Sequence, residues 1–155
     1  MVKKAADGLI ISALQNGTVI DHITPGEGFT VLRILGIGSG SHETVTLASN
    51  VSSSHSGRKD IIKIANRELN EEEVDKIALV APDATISIIR NAEVVKKTVV
   101  SVPEMITGVI RCPNPNCITN SREPAETKFV LHHRGFRCAY CDSIITRDMD
   151  IGKYI

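Results

Sequence analysis

Four cysteines are the residues of this chain whose types and spacing point most directly to chemistry. They form two close pairs, Cys112 with Cys117 and Cys138 with Cys141, and twenty residues separate the pairs. Zinc in a structural site takes four soft ligands in a tetrahedron, and two tight turns that each offer two thiolates supply that geometry. Because four thiolates leave no open coordination position, the spacing predicts one structural zinc ion and not a catalytic one.

Other interpretations of the cysteines remain open from spacing alone: two disulfides, a redox-active pair at Cys138 and Cys141, or four unlinked buried thiols. No secretory signal is recognisable, and close pairs in a protein expected in the cytoplasm favour a metal over disulfides. A redox pair would leave the first two cysteines without a role. His132 and His133 lie between the pairs, and we expect them on an exposed hairpin rather than on the metal.

Lysines in the first two thirds of the chain are the second group that could do chemistry. Lys59 and Lys63 lie four residues apart in a segment rich in β-branched residues, so they share one face of a strand. Two ammonium groups about 13 Å apart by the strand rise could bracket an extended polyanion such as a nucleotide. The alternative is a pair of solvated lysines on an edge strand.

No catalytic centre is predicted. Asp21 and His22 are adjacent, and adjacent residues of a strand point to opposite faces, which argues against an acid–base pair. The chain has no nucleophile with matched partners, no P-loop and no dinucleotide-binding glycine pattern.

Composition excludes several classes of protein. The 155 residues carry 18 basic and 18 acidic side chains, which argues against a protein that works by coating nucleic acid or anionic lipid. A zinc ribbon that binds nucleic acid is the rival interpretation, but the five aromatic residues offer no platform for stacking bases. No apolar run approaches the roughly 20 residues that a membrane span needs. These observations predict a cytoplasmic protein with an aliphatic core.

Periodicity and turn signals predict the elements that position these residues. A first helix would have Pro25 at its first helical position, with Phe29, Leu32 and Leu35 at helical spacing. A second would be capped by Asn70 and end before Pro82. Strands are expected at residues 10–14, 18–23, 43–51, 58–65, 85–90 and 93–100. The order βαββαβ plus an extra strand predicts an α+β, ferredoxin-like sheet with its helices on one face.

The chain divides into two predicted domains, 1–103 and 104–155, with a junction around Pro103. The second is near the size below which a domain needs a metal or disulfide staple. We expect a small all-β, zinc-ribbon-like module there, built on a hairpin with one strand at 129–131 and a turn near Arg134 and Gly135.

Four segments together carry a resemblance to a known family. They are GTVIDH at 17–22, GRKDIIKI at 57–64, APDAT at 81–85 and CPNPNCI at 112–118. In this order, across nearly the whole chain, they resemble the regulatory chain of aspartate carbamoyltransferase.

The resemblance implies a non-catalytic subunit in pyrimidine biosynthesis. Residues 1–103 would form an allosteric domain that binds CTP, UTP and ATP and pairs as a homodimer. Residues 104–155 would form a zinc domain that docks on the catalytic chain. In the family, three regulatory dimers bridge two catalytic trimers; neither nucleic acid nor membrane is a partner.

The resemblance also implies roles for individual residues. Lys97 would meet the nucleotide phosphates as a point charge, and Lys59 and Lys63 would contact ribose, base or phosphate. Asp21 would recognise sugar or base, and His22 would lie on the phosphate side. The complete implied effector site is Ile11, Ala13, Leu14, Val19, Asp21, His22, Lys59, Lys63, Ser87, Ile89, Val94 and Lys97.

Three positions around the base and ribose depart from the family pattern. Ser12, Ser87 and Ala92 stand where the family often has Glu, Asn and Tyr. The residues implied at the phosphate-binding end match the family pattern better. The departures therefore concern the preference among pyrimidine and purine nucleotides.

Overall fold

The computed structural model describes residues 2–4, 10–54, 57–122, 125–133, 135–146 and 148–155, and for 2–4 and 10–12 it describes the backbone alone. The chain separates into two compact units, Met1–Ser101 and Val102–Ile155. In the described ranges, the longest helix has 10 residues, and none is long and apolar enough to cross a membrane.

The described residues of the first unit form seven strands and two helices. They are β1 (Val2–Lys4), β2 (Ile10–Ser12), β3 (Gly17–Ile23), α1 (Gly28–Ile34), β4 (Val45–Ser53), β5 (Gly57–Ala65), α2 (Glu71–Val80), β6 (Thr85–Arg90) and β7 (Glu93–Val99). Five strands form one sheet in the order β4-β5-β3-β6-β7, and each neighbouring pair is antiparallel. The strand predicted at 10–14 is shorter, and it pairs with β1 instead of joining this sheet.

One face of this sheet forms the core with the helices, which contact each other. Along β5, burial alternates with a period of two, so that Ile62 and Ile64 are buried while Lys63 between them is half-buried. Ile20 of β3, Val31 of α1 and Ile77 of α2 are also fully buried. The predicted aliphatic core is therefore present in this unit.

The first helix differs from the prediction. It begins at Gly28, and Pro25 lies in the preceding turn, in which the Glu27 amide donates to the Thr24 carbonyl at 2.9 Å. The buried positions are Gly28, Val31 and Leu35, whereas Phe29 is 65% exposed. A Cβ on Gly28 would lie 2.8 Å from the Asp60 carboxylate. The helix therefore rests on the sheet through its glycine, which turns Phe29 outward.

The second helix confirms its predicted ends. The Asn70 side chain accepts from the Glu73 amide at 2.9 Å, and the Glu73 carboxylate accepts from the Asn70 amide at 3.2 Å, which forms a capping box. The helix ends at Val80, before Pro82. Asn91 and Ala92, which join β6 to β7, have φ of 51° and 64°, values typical of a tight hairpin.

In the part of the second unit that the structure describes, the chain forms a small antiparallel sheet and two 3-10 turns. Its elements are β8 (Met105–Thr107), a 3-10 turn at Ile118–Asn120, β9 (Lys128–His132), β10 (Gly135–Cys138), β11 (Ile144–Thr146) and a 3-10 turn at Ile151–Tyr154. The strand order is β11-β10-β9-β8. Phe129 and Ile145 are fully buried at its centre. The predicted hairpin is formed by β9 and β10; Arg134, expected near its turn, lies outside the described residues.

Candidate metal centre and effector site

The four cysteine sulfurs of the second unit converge on one point. All lie within 4.8 Å of one another, and they are the only metal-ligating group of this kind among the described residues. The Sγ atoms of Cys112 and Cys141 are 3.5 Å apart, and those of Cys117 and Cys138 are 3.8 Å apart. A tetrahedron with metal–sulfur bonds of about 2.3 Å has sulfur–sulfur edges of about 3.8 Å. The spacing fits a tetrahedral metal and is too long for disulfides.

The first pair lies on a turn held by asparagines. The Asn120 side-chain amide donates to the carbonyls of Cys112 and Asn114, at 2.9 and 2.8 Å. The Asn114 side chain accepts from the Asn116 amide at 3.0 Å, and the Asn114 carbonyl accepts from the Cys117 amide at 3.1 Å. These hydrogen bonds fix the backbone between Cys112 and Cys117, so less conformational entropy is lost when a metal binds.

The second pair lies on the turn after β10. The Cys138 amide donates to the Ser143 carbonyl at 2.8 Å, and the Asp142 amide donates to the Cys138 carbonyl at 3.0 Å. Asp142 has φ of 63°, which turns the chain sharply after Cys141. Both pairs therefore lie on tight turns, as their spacing predicts.

The thiols differ in how readily they ionise. Burial raises the pKa of Cys112 to about 12 and also raises the pKa of Cys138. The Ser143 hydroxyl, 3.1 Å from its sulfur, lowers the pKa of Cys141 to about 6. The Thr119 hydroxyl donates to the Cys117 sulfur at 3.2 Å and lowers the pKa of that thiol. Four thiolates this close need a cation between them, so the site suits a soft divalent metal and no open position remains for catalysis.

The histidines between the cysteine pairs stand apart from this cluster. The rings of His132 and His133 are 4.1 Å apart at an angle of 37°, at the end of β9. Neither belongs to the metal-ligating group.

The predicted effector residues meet on the sheet face opposite the helices in the first unit. One row of paired residues crosses four strands: Lys63 on β5, Val19 on β3, Ser87 on β6 and Lys97 on β7. Paired residues of antiparallel strands point to the same side. The backbones of Lys63 and Lys97 are about 14 Å apart, because three strand spacings separate β5 from β7. We call this surface, which carries Lys59, Lys63 and Lys97, the lysine face.

The rows on either side of this one differ in character. On one side, Ile89 pairs with Gly17 and Val94, which makes an apolar end. On the other side Asp21 pairs with Thr85. Across these three rows the lysine face therefore changes from apolar to charged.

The charged end contains an ion pair and a histidine in an unusual conformation. The Lys59 ammonium is 2.8 Å from Asp21 Oδ1, which also accepts from the His22 amide at 2.7 Å. His22 has φ of 57°, and its Nδ1 is 3.3 Å from the Thr85 hydroxyl. Asp21 and His22 were expected to point to opposite faces of a regular strand, but β3 is irregular at these two residues. Thr85 was not among the predicted residues, because its pairing with Asp21 is visible only in the structure.

The remaining predicted residues approach from the segment before β3. Ile11 lies in β2, and its side chain is outside the described residues. Ala13 is exposed and Leu14 half-buried. The next residue, Gln15, accepts from the Ala92 amide at 2.8 Å, so this segment lies beside the turn between β6 and β7. It is thereby close to the apolar end of the lysine face.

A cavity on the helix side of the sheet is separate from this group. It measures about 260 Å³ and contains none of the predicted effector residues. Its lining residues are Leu69, Asn70, Glu71, Val74, Asp75, Ile86, Ile88, Lys96 and Thr98.

The Asp21–Lys59 pair predicts a pH-dependent contribution to stability. Burial raises the pKa of Asp21, but the Lys59 ammonium and the His22 amide outweigh it, so the pKa is lowered from 3.8. A lowered pKa stabilises the fold above the unfolded value and loses that effect as the pH falls through the folded value. We expect Asp21→Asn to be less stable than the unaltered chain at about pH 7, with the difference vanishing in strong acid.

Urea unfolding of the full chain at several pH values measures this effect. Asp83→Asn, a change at an exposed aspartate in the turn before β6, is the control and should show no such pH-dependent difference. A constant difference between Asp21→Asn and the unaltered chain at all pH values would contradict the ion pair.

Comparison with known proteins finds an allosteric domain and a metal-binding domain in the same order along the chain. The family model described as "Aspartate carbamoyltransferase regulatory chain, allosteric domain" matches residues 9–101, and the model of the metal binding domain of that chain matches residues 104–151. A regulatory chain from Methanocorpusculum labreanum is 67% identical over 155 residues, which is 100% of each chain. Regulatory chains from Methanoculleus marisnigri and Methanosphaerula palustris are each 54% identical, over 95% and 92% of both chains.

Proposed function

The chain belongs to the family of aspartate carbamoyltransferase regulatory chains, and from this premise we propose that it binds CTP, UTP and ATP on the lysine face and thereby controls a catalytic chain. It is a regulatory and non-catalytic chain with an allosteric domain and a metal-binding domain, and it serves pyrimidine biosynthesis in the cytoplasm. We place the boundary between residues 1–103 and 104–155.

The observation that carries the effector proposal is the row formed by Lys63, Val19, Ser87 and Lys97. Ammonium groups at both ends of this row can meet the phosphates as point charges. The Asp21 carboxylate next to it accepts hydrogen bonds from ribose hydroxyls or a base amine. Ile89 and Val94 offer apolar surface to the base, with Ala13, Leu14 and the Ile11 segment completing the wall.

The metal proposal is one zinc ion held by Cys112, Cys117, Cys138 and Cys141. Its support is the donor chemistry and the sulfur–sulfur spacing, because thiolates in a tetrahedron suit zinc. When bound, the ion supplies structure rather than reactivity. The residues around it stiffen the turns, and the domain so formed docks on the catalytic chain.

Assembly and fold complete the proposal. The allosteric domains pair as homodimers, and three such dimers bridge two catalytic trimers. The allosteric domain is ferredoxin-like, which the strand order supports: in β4-β5-β3-β6, the first strand of the βαββαβ unit lies between the third and the fourth. The metal-binding domain is zinc-ribbon-like, supported by its four-stranded sheet and cysteine turns.

Regulation requires a difference in affinity between two states of the assembly. A nucleotide that binds the low-activity and high-activity states equally shifts nothing, however tightly it binds. Inhibitor and activator compete for the same lysine face and differ in the state that each prefers. The metal-held domain transmits that preference because it is rigid enough to move as a unit.

Reconstitution tests this function. The full chain is mixed with an aspartate carbamoyltransferase catalytic trimer, with and without a chelator, and complex size and activity are measured with each nucleotide. We expect a larger, metal-dependent complex whose activity changes with CTP, UTP or ATP. Calorimetry on the full chain should show nucleotide binding. Absence of binding at millimolar nucleotide would refute the effector role, and absence of a complex would refute the docking role.

A further inference from the structure

A buried carboxylate on β5 ties three segments of the first unit together. Asp60 has no solvent exposure, and each of its carboxylate oxygens accepts two hydrogen bonds. Oδ2 accepts from the amides of Gly26 and Gly28, at 3.0 and 2.9 Å. Oδ1 accepts from the Asn50 amide at 2.8 Å and from the Ser49 hydroxyl at 3.1 Å. A buried carboxylate requires such donors, so losing any of them leaves charge without compensation.

Asp60 lies where two neighbouring strands are irregular. In β3 the register shifts between Ile20 and Ile23, and Ile23 is paired with Asp60 itself. In β4 the register shifts between Ala48 and Val51. Asn50, with φ of 56°, lies in that second irregularity and donates to the carboxylate. The Asp60 carboxylate accepts hydrogen bonds both from the turn after β3 and from the irregular part of β4. Neither segment can therefore move without disturbing the hydrogen bonds of the other.

The irregularity of β3 contains two residues of the proposed effector site. Asp21 and His22 lie between the shifted registers, and Lys59 holds Asp21 at 2.8 Å on the lysine face. Asp60 follows Lys59, and adjacent residues of a strand point to opposite faces. Lys59 and Asp60, two consecutive residues of β5, therefore hold this part of β3 from opposite faces of the sheet.

We propose that Asp60 is a positioning residue of the effector site. It holds the irregular segment of β3 so that Asp21, His22 and Lys59 present their polar groups together to the nucleotide. This inference rests on the proposed nucleotide-binding function. Gly28 is part of the device, since a Cβ there would meet Asp60 Oδ2 at 2.8 Å and Leu47 at 2.7 Å.

Two variants test the proposal against a matched control. Asp60→Asn replaces one acceptor by a donor, so two of the four bonds cannot form. Gly28→Ala keeps the carboxylate and displaces it. The control is Thr18→Val, which removes a buried hydroxyl that donates to the Arg67 carbonyl at 2.6 Å, away from the irregular segment. All are full chains, compared at a temperature where circular dichroism shows them folded.

The readouts are the ATP dissociation constant and the NMR signal of the His22 amide, which donates to Asp21. We expect Asp60→Asn and Gly28→Ala to weaken ATP binding by about tenfold, a loss typical of misplaced polar groups. Both should shift the His22 signal, and Thr18→Val should change neither readout.

Unchanged ATP affinity and an unchanged His22 signal in the folded Asp60→Asn chain would overturn the proposal. So would equal losses of affinity in the Thr18→Val control, because Asp60 would then act only through general stability. If Asp60→Asn does not fold, Gly28→Ala decides by the same criteria. If the unaltered chain binds no ATP, the proposed function fails, and the His22 signal alone decides whether Asp60 positions this segment.

Discussion

Removing the metal is expected to unfold the second unit and leave the first unit folded. The second unit, Val102–Ile155, has a small core around Phe129, Phe136 and Ile145. A domain of this size rarely holds itself together by apolar burial alone. In zinc-dependent domains the metal contributes about 10–16 kcal/mol, which is the folding free energy itself. The first unit has its own sheet, helices and aliphatic core, so it should not depend on the metal.

Chelation of the full chain, followed by circular dichroism and hydrogen exchange, measures the effect. Amides of β9 and β10 should lose protection from exchange, and those of β3 and β5 should keep it. Metal analysis should find one zinc per chain before chelation, and re-addition of zinc should restore protection. Protection that persists throughout the second unit without metal would contradict a structural site.

Single substitutions separate the ligands from their neighbours. Cys138→Ser removes a fully buried sulfur and should abolish stoichiometric metal binding. His133→Ala changes an exposed residue outside the cluster and should keep the metal. Loss of metal in the histidine variant would place His133 among the ligands and contradict a four-cysteine centre.

The metal centre was predictable because its geometry is local. Each cysteine pair is closed by a short turn, so the spacing within a pair already dictates that both sulfurs face one point. The pairs then need only one hairpin, β9 with β10, to meet. Prolines and asparagines around Cys112 indicate a tight turn, although the bonds made by the Asn120 side chain are visible only in the structure.

The lysine face was predictable only in part. The period of a strand is enough to place Lys59 and Lys63 on one side of β5. The row that joins Lys63 to Lys97 depends on the order of four strands, which no local pattern encodes. The irregularity at His22 was unpredictable because a non-glycine residue takes a positive φ there. The helical spacing of Phe29 does not reveal its exposure, because Gly28, rather than the larger apolar residue, is the one that rests against the sheet.

Replacing Lys97 by methionine is expected to weaken the binding of all three nucleoside triphosphates by roughly tenfold to a hundredfold, the loss of one charge-assisted contact. Lys97 is exposed on β7, at the end of the row on the lysine face. Methionine keeps most of the length of the side chain and removes the ammonium group, with its charge and its hydrogen-bond donors. Nucleosides without phosphates should bind the variant and the unaltered chain equally.

The neighbouring lysine supplies the control. Lys96 is also exposed, but it pairs with Ile88 and lines the cavity on the helix side of the sheet. Lys96→Met and Lys97→Met have the same net charge, so non-specific attraction of anions falls equally in both. Calorimetry with ATP, CTP and UTP should therefore show a loss in Lys97→Met alone, with a shallower dependence on salt. Equal losses in both variants would mean that the triphosphate responds to the overall charge of β7, and the lysine face would then not be the binding site.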